Sequence, residues 1–379
     1  MVIGIRDSLK LVGITIVSCC AVFVCFLFLN YNIDLAGIKD EVATYQAMVF
    51  YDAQMATAKV TAGVSGGCLV LTAIILLIFY IKNYIDTHGK ELGILKALGY
   101  SCFQIAAHFW VFGISVLLGA LAGYLFASAY MPTFYRIQNK DGFLPQMAPQ
   151  FHMILIVLLI IVPTVFFMLL AVMYAFFKMK SPVLNLLKEI KNIRVRHGKS
   201  AKEEVSFLTG LRKGTLRSRK TLIFFVCFSA FCFSAMTQMS WAMVSLASED
   251  FSIIMISIGL ILAFTTLFMS LTSIINANTK TIAMMKVFGY SPKECRQAIL
   301  DGYRPVSYIG FAIGTAYQYL LLRIVVDIVF ADFDNIPVYK FDYKALAICF
   351  AAFVVIYELI MYWYSLKLNR QSVKSIMLE

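Results

Sequence analysis

Eight stretches of this 379-residue chain are predominantly apolar over twenty or more residues: 12–31, 59–83, 103–130, 153–177, 221–247, 252–277, 305–330 and 345–366. A helix rising about 1.5 Å per residue needs roughly 20 such residues to cross about 30 Å of hydrocarbon. Outer-membrane strands are about 9–11 residues long and alternate in polarity, so strands do not explain runs of this length. The pattern predicts an all-α polytopic membrane protein with eight transmembrane helices. Residues 12–31 read as the first span and not as a signal peptide, because no small-residue cleavage site follows Leu27-Phe28-Leu29-Asn30. With 61% hydrophobic and only 14% charged residues, the composition excludes a soluble enzyme, a disordered protein and a disulfide scaffold.

Basic residues set the expected orientation, since Lys and Arg accumulate on the cytoplasmic side. With the N-terminus inside, 26 of the 33 Lys and Arg lie in cytoplasmic segments and 7 in outer ones. Both termini are then cytoplasmic. Much of the net charge of +12 sits in residues 178–220, which hold 13 basic and 3 acidic side chains. A basic loop beside the membrane favours anionic lipid headgroups, and no nucleic-acid partner is expected. The nine cysteines lie in spans or on the cytoplasmic side, so neither a structural disulfide nor a metal cluster is expected.

The chain is written twice. A shift of 190 places Lys90-Glu91-Leu92-Gly93-Ile94-Leu95-Lys96-Ala97-Leu98-Gly99-Tyr100-Ser101 on Lys280-Thr281-Ile282-Ala283-Met284-Met285-Lys286-Val287-Phe288-Gly289-Tyr290-Ser291. Ser181–Leu187 after the fourth span likewise resembles Ser372–Leu378 after the eighth. The expected layout is a first four-helix repeat over 1–190, a basic cytoplasmic linker over 191–210 and a second four-helix repeat over 211–379. Four spans per repeat is an even number, so the repeats enter the membrane in parallel, related by an axis along its normal.

Each copy of the repeated segment predicts an elbow at the inner membrane face. Leu92, Leu95 and Leu98 recur among charged residues as in a short amphipathic helix. Gly99 supplies a left-handed stop, and Ser101 with Gln104 forms a capping box for the next helix. In the second copy Gly289 stops, Ser291 caps, Pro292 takes the first helical position and Glu294 closes the box.

The stretch KELGILKALGYS resembles the signature of the FtsX-like permease domain of MacB-type, or mechanotransmission (type VII), ABC transporters. The second copy, KTIAMMKVFGYS, resembles it with Thr281 where the family usually places an acid. The resemblance implies two fused FtsX-like repeats whose short helices are coupling helices, docked on two copies of a separate cytoplasmic ABC ATPase subunit. Lys90, Glu91, Lys96, Gly99, Tyr100, Lys286, Gly289 and Tyr290 are then the expected ATPase contacts. ATP and Mg2+ would be bound by that partner, with no cofactor in this chain, which is a non-enzymatic permease subunit of a bacterial cytoplasmic membrane. Its implied cargo is amphipathic, an antimicrobial peptide, bacteriocin or lipid-like molecule, exported or drawn from the outer leaflet. The alternatives are a haem or other hydrophobic-compound exporter, and a signalling subunit that transports nothing and works with a membrane sensor or accessory protein. The large outer domains of many members have no counterpart here, where the first-half insert is residues 32–58 and the second about 248–251. Small-loop members, four-span chains that pair, are nearer in shape.

The chain offers little other chemistry. Gly198-Lys199-Ser200 lacks the upstream glycine of a phosphate-cradling loop, since position 193 is Ile193. His88, His108, His152 and His197 are scattered, and no serine-hydrolase or carboxylate-pair pattern is present. His152, at the outer mouth of the fourth span, is open to a role at a haem iron or to an interfacial one. Glu358 lies at membrane depth, where an acid is costly and by default faces a partner or a cavity. Substrate contact, pairing with Arg304 and a neutral hydrogen bond to a neighbouring helix are all open to it. Gly63-x-x-x-Gly67, Gly119-x-x-x-Gly123 and Gly310-x-x-x-Gly314 suit close helix approach. Ile38, Val42, Tyr45 and Val49 give the outer segment 32–58 a helical period, either as a stalk continuing the first two spans or as a helix lying at the interface.

Overall fold

The apolar stretches fold as helices in the computed structural model, which describes residues 12–42, 44–140, 142, 144–180, 210–212, 214, 216, 220–246, 249–299, 301–329 and 341–370. No strand occurs among the described residues. Almost all of the expected linker 191–210, with His197 and Gly198–Ser200, lies outside them, as do the two similar tails Ser181–Leu187 and Ser372–Leu378. The chain divides into two compact units, Met1–Asn192 with Val325–Pro337, and Ile193–Ile324 with Val338–Glu379.

The first unit runs through α1 (Val12–Gly37), α2 (Tyr45–Thr87), α3 (Gly89–Ala97), α4 (Cys102–Ala107), α5 (Phe112–Gln138), α6 (Met153–Ile156) and α7 (Val162–Met179). Its core is α1, whose Ile14, Val17, Leu27, Phe28, Tyr31 and Leu35 are all but fully buried. Glycine lets α5 come this close to α1. A methyl group at Gly119 would collide with the Thr15 carbonyl, and one at Gly123 with the Cys19 carbonyl. Small residues are the usual basis of such contact in lipid, where apolar side chains gain little by leaving their surroundings. Gly63 and Gly67 have nothing within 4 Å of the same position, so that third motif is not a packing motif in this unit. A π-helical turn, Val157–Ile161, joins α6 to α7 just ahead of Pro163, whose missing N–H breaks the regular ladder.

The 43 residues of α2 form one helix, about 64 Å long at the standard rise. That exceeds the hydrocarbon thickness twofold. Residues 45–58 therefore continue the second span, the stalk arrangement of the two open to the outer segment. Asn32 on α1 braces this extension by donating through Nδ2 to the Met55 carbonyl at 3.2 Å.

The second unit is built on α8 (Lys220–Leu246), α9 (Glu249–Val287), α10 (Pro292–Ile299), α11 (Arg304–Val329) as far as Ile324, and α12 (Tyr343–Arg370). Its α8–α11 crossing repeats the glycine device, with Gly310 against the Cys227 carbonyl and Gly314 against that of Phe231. A hydrogen-bonded trio reinforces it. Gln238 Nε2 donates to Ser234 Oγ and to Thr315 Oγ1, both at 2.8 Å, and the two hydroxyls lie 3.0 Å apart.

Seven helices among the described residues are long and apolar enough to cross a membrane: α1, α2, α4 through α5, α6 through α7, α8, α9 and α12. The eighth predicted span, 305–330, is present as the 26-residue α11. It is not among those seven.

Candidate functional site

The two repeated segments form turns of one design. In the first unit Gly99 takes φ +96°, a conformation that costs a residue with a side chain about 1–2 kcal/mol. Its N–H donates to the Lys96 carbonyl at 3.2 Å, and the Tyr100 N–H donates to that of Leu95 at 3.2 Å. These two bonds are the paired closure of a Schellman motif. In the second unit Gly289 takes φ +83°. Its N–H reaches the Lys286 carbonyl at 3.0 Å, and the Tyr290 N–H reaches that of Met285 at 3.1 Å.

Both turns then open a helix through a capping box. Gln104 N–H donates to Ser101 Oγ at 3.1 Å, and the Ser101 N–H donates back to Gln104 Oε1 at 2.9 Å. Glu294 N–H donates to Ser291 Oγ at 3.3 Å, and the Ser291 N–H donates to Glu294 Oε2 at 2.8 Å. The Ser291 N–H, and then its hydroxyl, hold the Glu294 carboxyl below the usual carboxylate range.

The entries differ. In the first unit the chain breaks at His88, with φ −100° and ψ 22°, before α3 begins at Gly89. The His88 ring stacks on Tyr84 with centroids 4.2 Å apart. In the second unit no separate short helix forms, and α9 runs without interruption to Val287. The expected helix-stop-helix elbow therefore has an independent short helix in one copy only. Thr279 stands where the first copy has Gly89, and glycine is the poorer helix former.

The expected contact residues fall into three groups. Lys90, Glu91 and Tyr100 are exposed, while Lys286 and Tyr290 are half-buried. Gly99 and Gly289 are the stops themselves. Lys96 is turned inward, its Nζ donating to the Met179 carbonyl at 2.8 Å, where a cation complements the carbonyl end of α7. Sequence reasoning did not pick out the exposed apolar groups of both turns as contacts: Ile94 and Leu98 at 52% and 72%, and Met284, Val287 and Phe288 at 48%, 58% and 77%. Leu98 follows Leu92 by six residues, which at about 100° per residue turns it some 120° away. Leu92 is fully buried and Leu98 is not. The signal was present in that three-residue step.

Glu358 meets Arg304, with Nη2 on Oε1 at 2.5 Å. Arg296 reaches the other oxygen, Oε2, at 3.6 Å. Asp301 Oδ1 lies 3.6 Å from Arg304 Nε and 3.9 Å from Arg296 Nε. Arg296 and Asp301 were not singled out in the sequence. At the other end of the first unit, His152 Nε2 lies 2.7 Å from Asp34 Oδ1. Asp34 Oδ2 accepts from Tyr135 Oη at 2.5 Å, and from Asn30 Nδ2 and the Gln150 N–H at 3.1 Å each. This buried carboxylate ties the entry of the fourth span to α1 and α5. No group of three or more metal-ligating side chains occurs among the described residues.

The family model described as FtsX-like permease C-terminal matches the chain twice, over residues 63–179 and 253–373, together more than half its length. Each matched segment contains one of the two turns. No curated protein and no solved structure matches. With two copies of the family domain, each carrying the same Schellman turn and capping box between long apolar helices, the chain belongs to the FtsX-like permease family, non-enzymatic membrane subunits of ABC-type transporters that associate with an ATPase and the bilayer.

Proposed function

We propose that this chain is the multi-pass permease of a bacterial cytoplasmic membrane, driven by two copies of a separate ABC ATPase that dock on the turns at 88–100 and 280–290. The excess of Lys and Arg in the segments that include both turns supports their placement, and that of both termini, in the cytoplasm. One observation carries the reading. Both turns hold a pair of large apolar side chains out from a rigid cap, Ile94 with Leu98 and Met284 with Phe288. Such groups gain about 1.5–3 kcal/mol each on burial, and at a water-facing surface they mark a protein partner. Lys90 and Glu91 beside them supply charge for register. ATP and Mg2+ stay with the partner.

The cargo in this reading is an amphipathic molecule drawn from the outer leaflet, such as a peptide antibiotic, a bacteriocin or a lipid-like compound. Two features favour that route over a polar channel. Ser234, Gln238 and Thr315 bond to one another inside the second unit. The outward faces of α5 and α11 present Leu121, Leu125, Phe126, Ile309, Ile313 and Leu320. The test is purification of the permease from its native host, with and without Leu98→Asp plus Phe288→Asp. The wild type is expected to carry an ATPase with it, and the double variant to insert normally but lose that ATPase at least tenfold, the effect of about 1.4 kcal/mol in affinity. An unchanged yield of ATPase would sink the docking assignment.

A further inference from the structure

At its inner corner the second unit joins α10, the Asp301–Tyr303 turn, α11 and α12 through charge. Arg304 and Arg296 hold the two oxygens of Glu358, one each, and share Asp301 on their other side. Arg212 adds a donor from Nη2 to the Asp301 carbonyl at 3.2 Å. The four paired side chains balance in charge and are 21–36% exposed. Ion pairs this wet contribute about 0–1 kcal/mol each, too little to account for the corner as a stabilising element. Their directionality is the more useful property, because a guanidinium fixes the direction as well as the distance of its carboxylate.

At the positions that match Arg296, Asp301, Arg304 and Glu358 the first unit has Ala106, Val111, Ile114 and Met168, so these ion pairs have no counterpart there. Between α4 and α7 stand Ala106, Phe109, Val111, Phe112 and Phe167, all buried. Gly113 lies directly against Met168, where a methyl group would collide with its side chain. One corner is greasy and the other is pinned. The pinned one follows the turn that ends a 39-residue helix, and the Ser291–Glu294 capping box joins that turn directly to α10.

We propose that Arg296, Arg304 and Glu358 form an ionic latch that carries motion of the second turn from α10 into α12. The proposal rests on the permease reading and deepens it. These are positioning residues, touching neither cargo nor nucleotide. When the ATPase shifts the turn, Arg296 moves with α10, and Glu358 draws α12 along with it.

The test is hydrogen exchange on the full permease–ATPase complex in nanodiscs, with and without a non-hydrolysable ATP analogue. In the wild type the analogue should change exchange in both α10 and the inner half of α12. In Glu358→Gln the α10 change should persist while the α12 change falls about fivefold or more, the lower end of ordinary coupling between sites. Arg296→Gln, which removes the arm on α10, should lower the α12 change likewise, and combining it with Glu358→Gln should lower it no further. An undiminished α12 response in Glu358→Gln would overturn the latch. If Glu358→Gln does not fold, raising the salt on the wild type serves instead. At about 1 M salt the screening length falls to about 3 Å, and the α12 response should fade before that of α7 in the first unit. Equal fading would overturn the latch as well. No analogue-dependent change at α10 in the wild type would instead remove the permease reading, and the latch with it.

Discussion

The two turns leave their helices in the same way and enter them differently. Both exits use a glycine at positive φ, two Schellman bonds and a serine capping box. The entries sit at equivalent positions, His88-Gly89 and Asn278-Thr279. At the first the helix breaks and restarts. At the second Asn278 is fully buried, donates through Nδ2 to the Ile274 carbonyl at 2.7 Å, and stays within α9. The first turn is jointed, while the second is the end of a rod about 58 Å long. Repetition in sequence therefore does not make the two halves mechanically equal. What the repeats share is the geometry of the exit, and what they do not share is the continuity of the helix that leads into it.

The largest expected effect probes what is shared. Gly123→Ala and Gly314→Ala each drive a methyl group into a backbone carbonyl of the neighbouring helix. Each should cost about 1–3 kcal/mol, the usual range for overpacking a tight contact. Gly63→Ala, with open space around it, should cost nothing and gain up to about 1 kcal/mol of helix propensity. Unfolding in mixed micelles measures all three. A loss at only one of Gly123 and Gly314 would break the equivalence of the two crossings.

How far these features were legible depends on how local they are. Gly99, Ser101, Gly289 and Ser291 act within a few residues, so spacing alone placed both caps. The glycine pairs were readable as motifs, but a motif does not say which helix face meets a partner, and Gly63-x-x-x-Gly67 meets none. Glu358 stood out because acids are rare in spans, whereas Arg296 and Asp301 looked like ordinary loop charges until the fold brought them within reach. Likewise Asp34 and His152 are 118 residues apart and meet only because the loop after α5 returns to α1. The broken entry was signalled faintly by glycine against threonine, a difference that helix propensity registers and pattern matching does not.

A smaller effect sharpens the difference between entries. Gly89→Ala favours an unbroken helix across the joint by up to about 1 kcal/mol. Amide exchange at residues 88–91 should slow by about fivefold, making the first turn resemble the second. Thr279→Gly should move the second turn the opposite way, and by less, since threonine is itself a weak helix former. Exchange that ignores both changes would mean the break is set by packing around His88 and Tyr84 instead of by the glycine.

The smallest effect separates the two capping boxes by chemistry. Gln104 closes the first box and does not titrate, whereas Glu294 closes the second as a carboxylate. The Glu294 carboxyl lies below its ordinary value of 4.5 because Ser291 donates to its charged form. A depressed carboxyl contributes stability that is fully present above its unfolded value and is lost as pH falls through the folded one. The second turn should therefore loosen in acid below about pH 4.5, seen as faster exchange of the Glu294 and Cys295 amides, while the Gln104 and Ile105 amides show only the ordinary pH dependence of exchange. Glu294→Gln should abolish the difference by making the second box a copy of the first. Loosening of both turns together in acid would place the sensitivity outside the caps and erase this distinction between them.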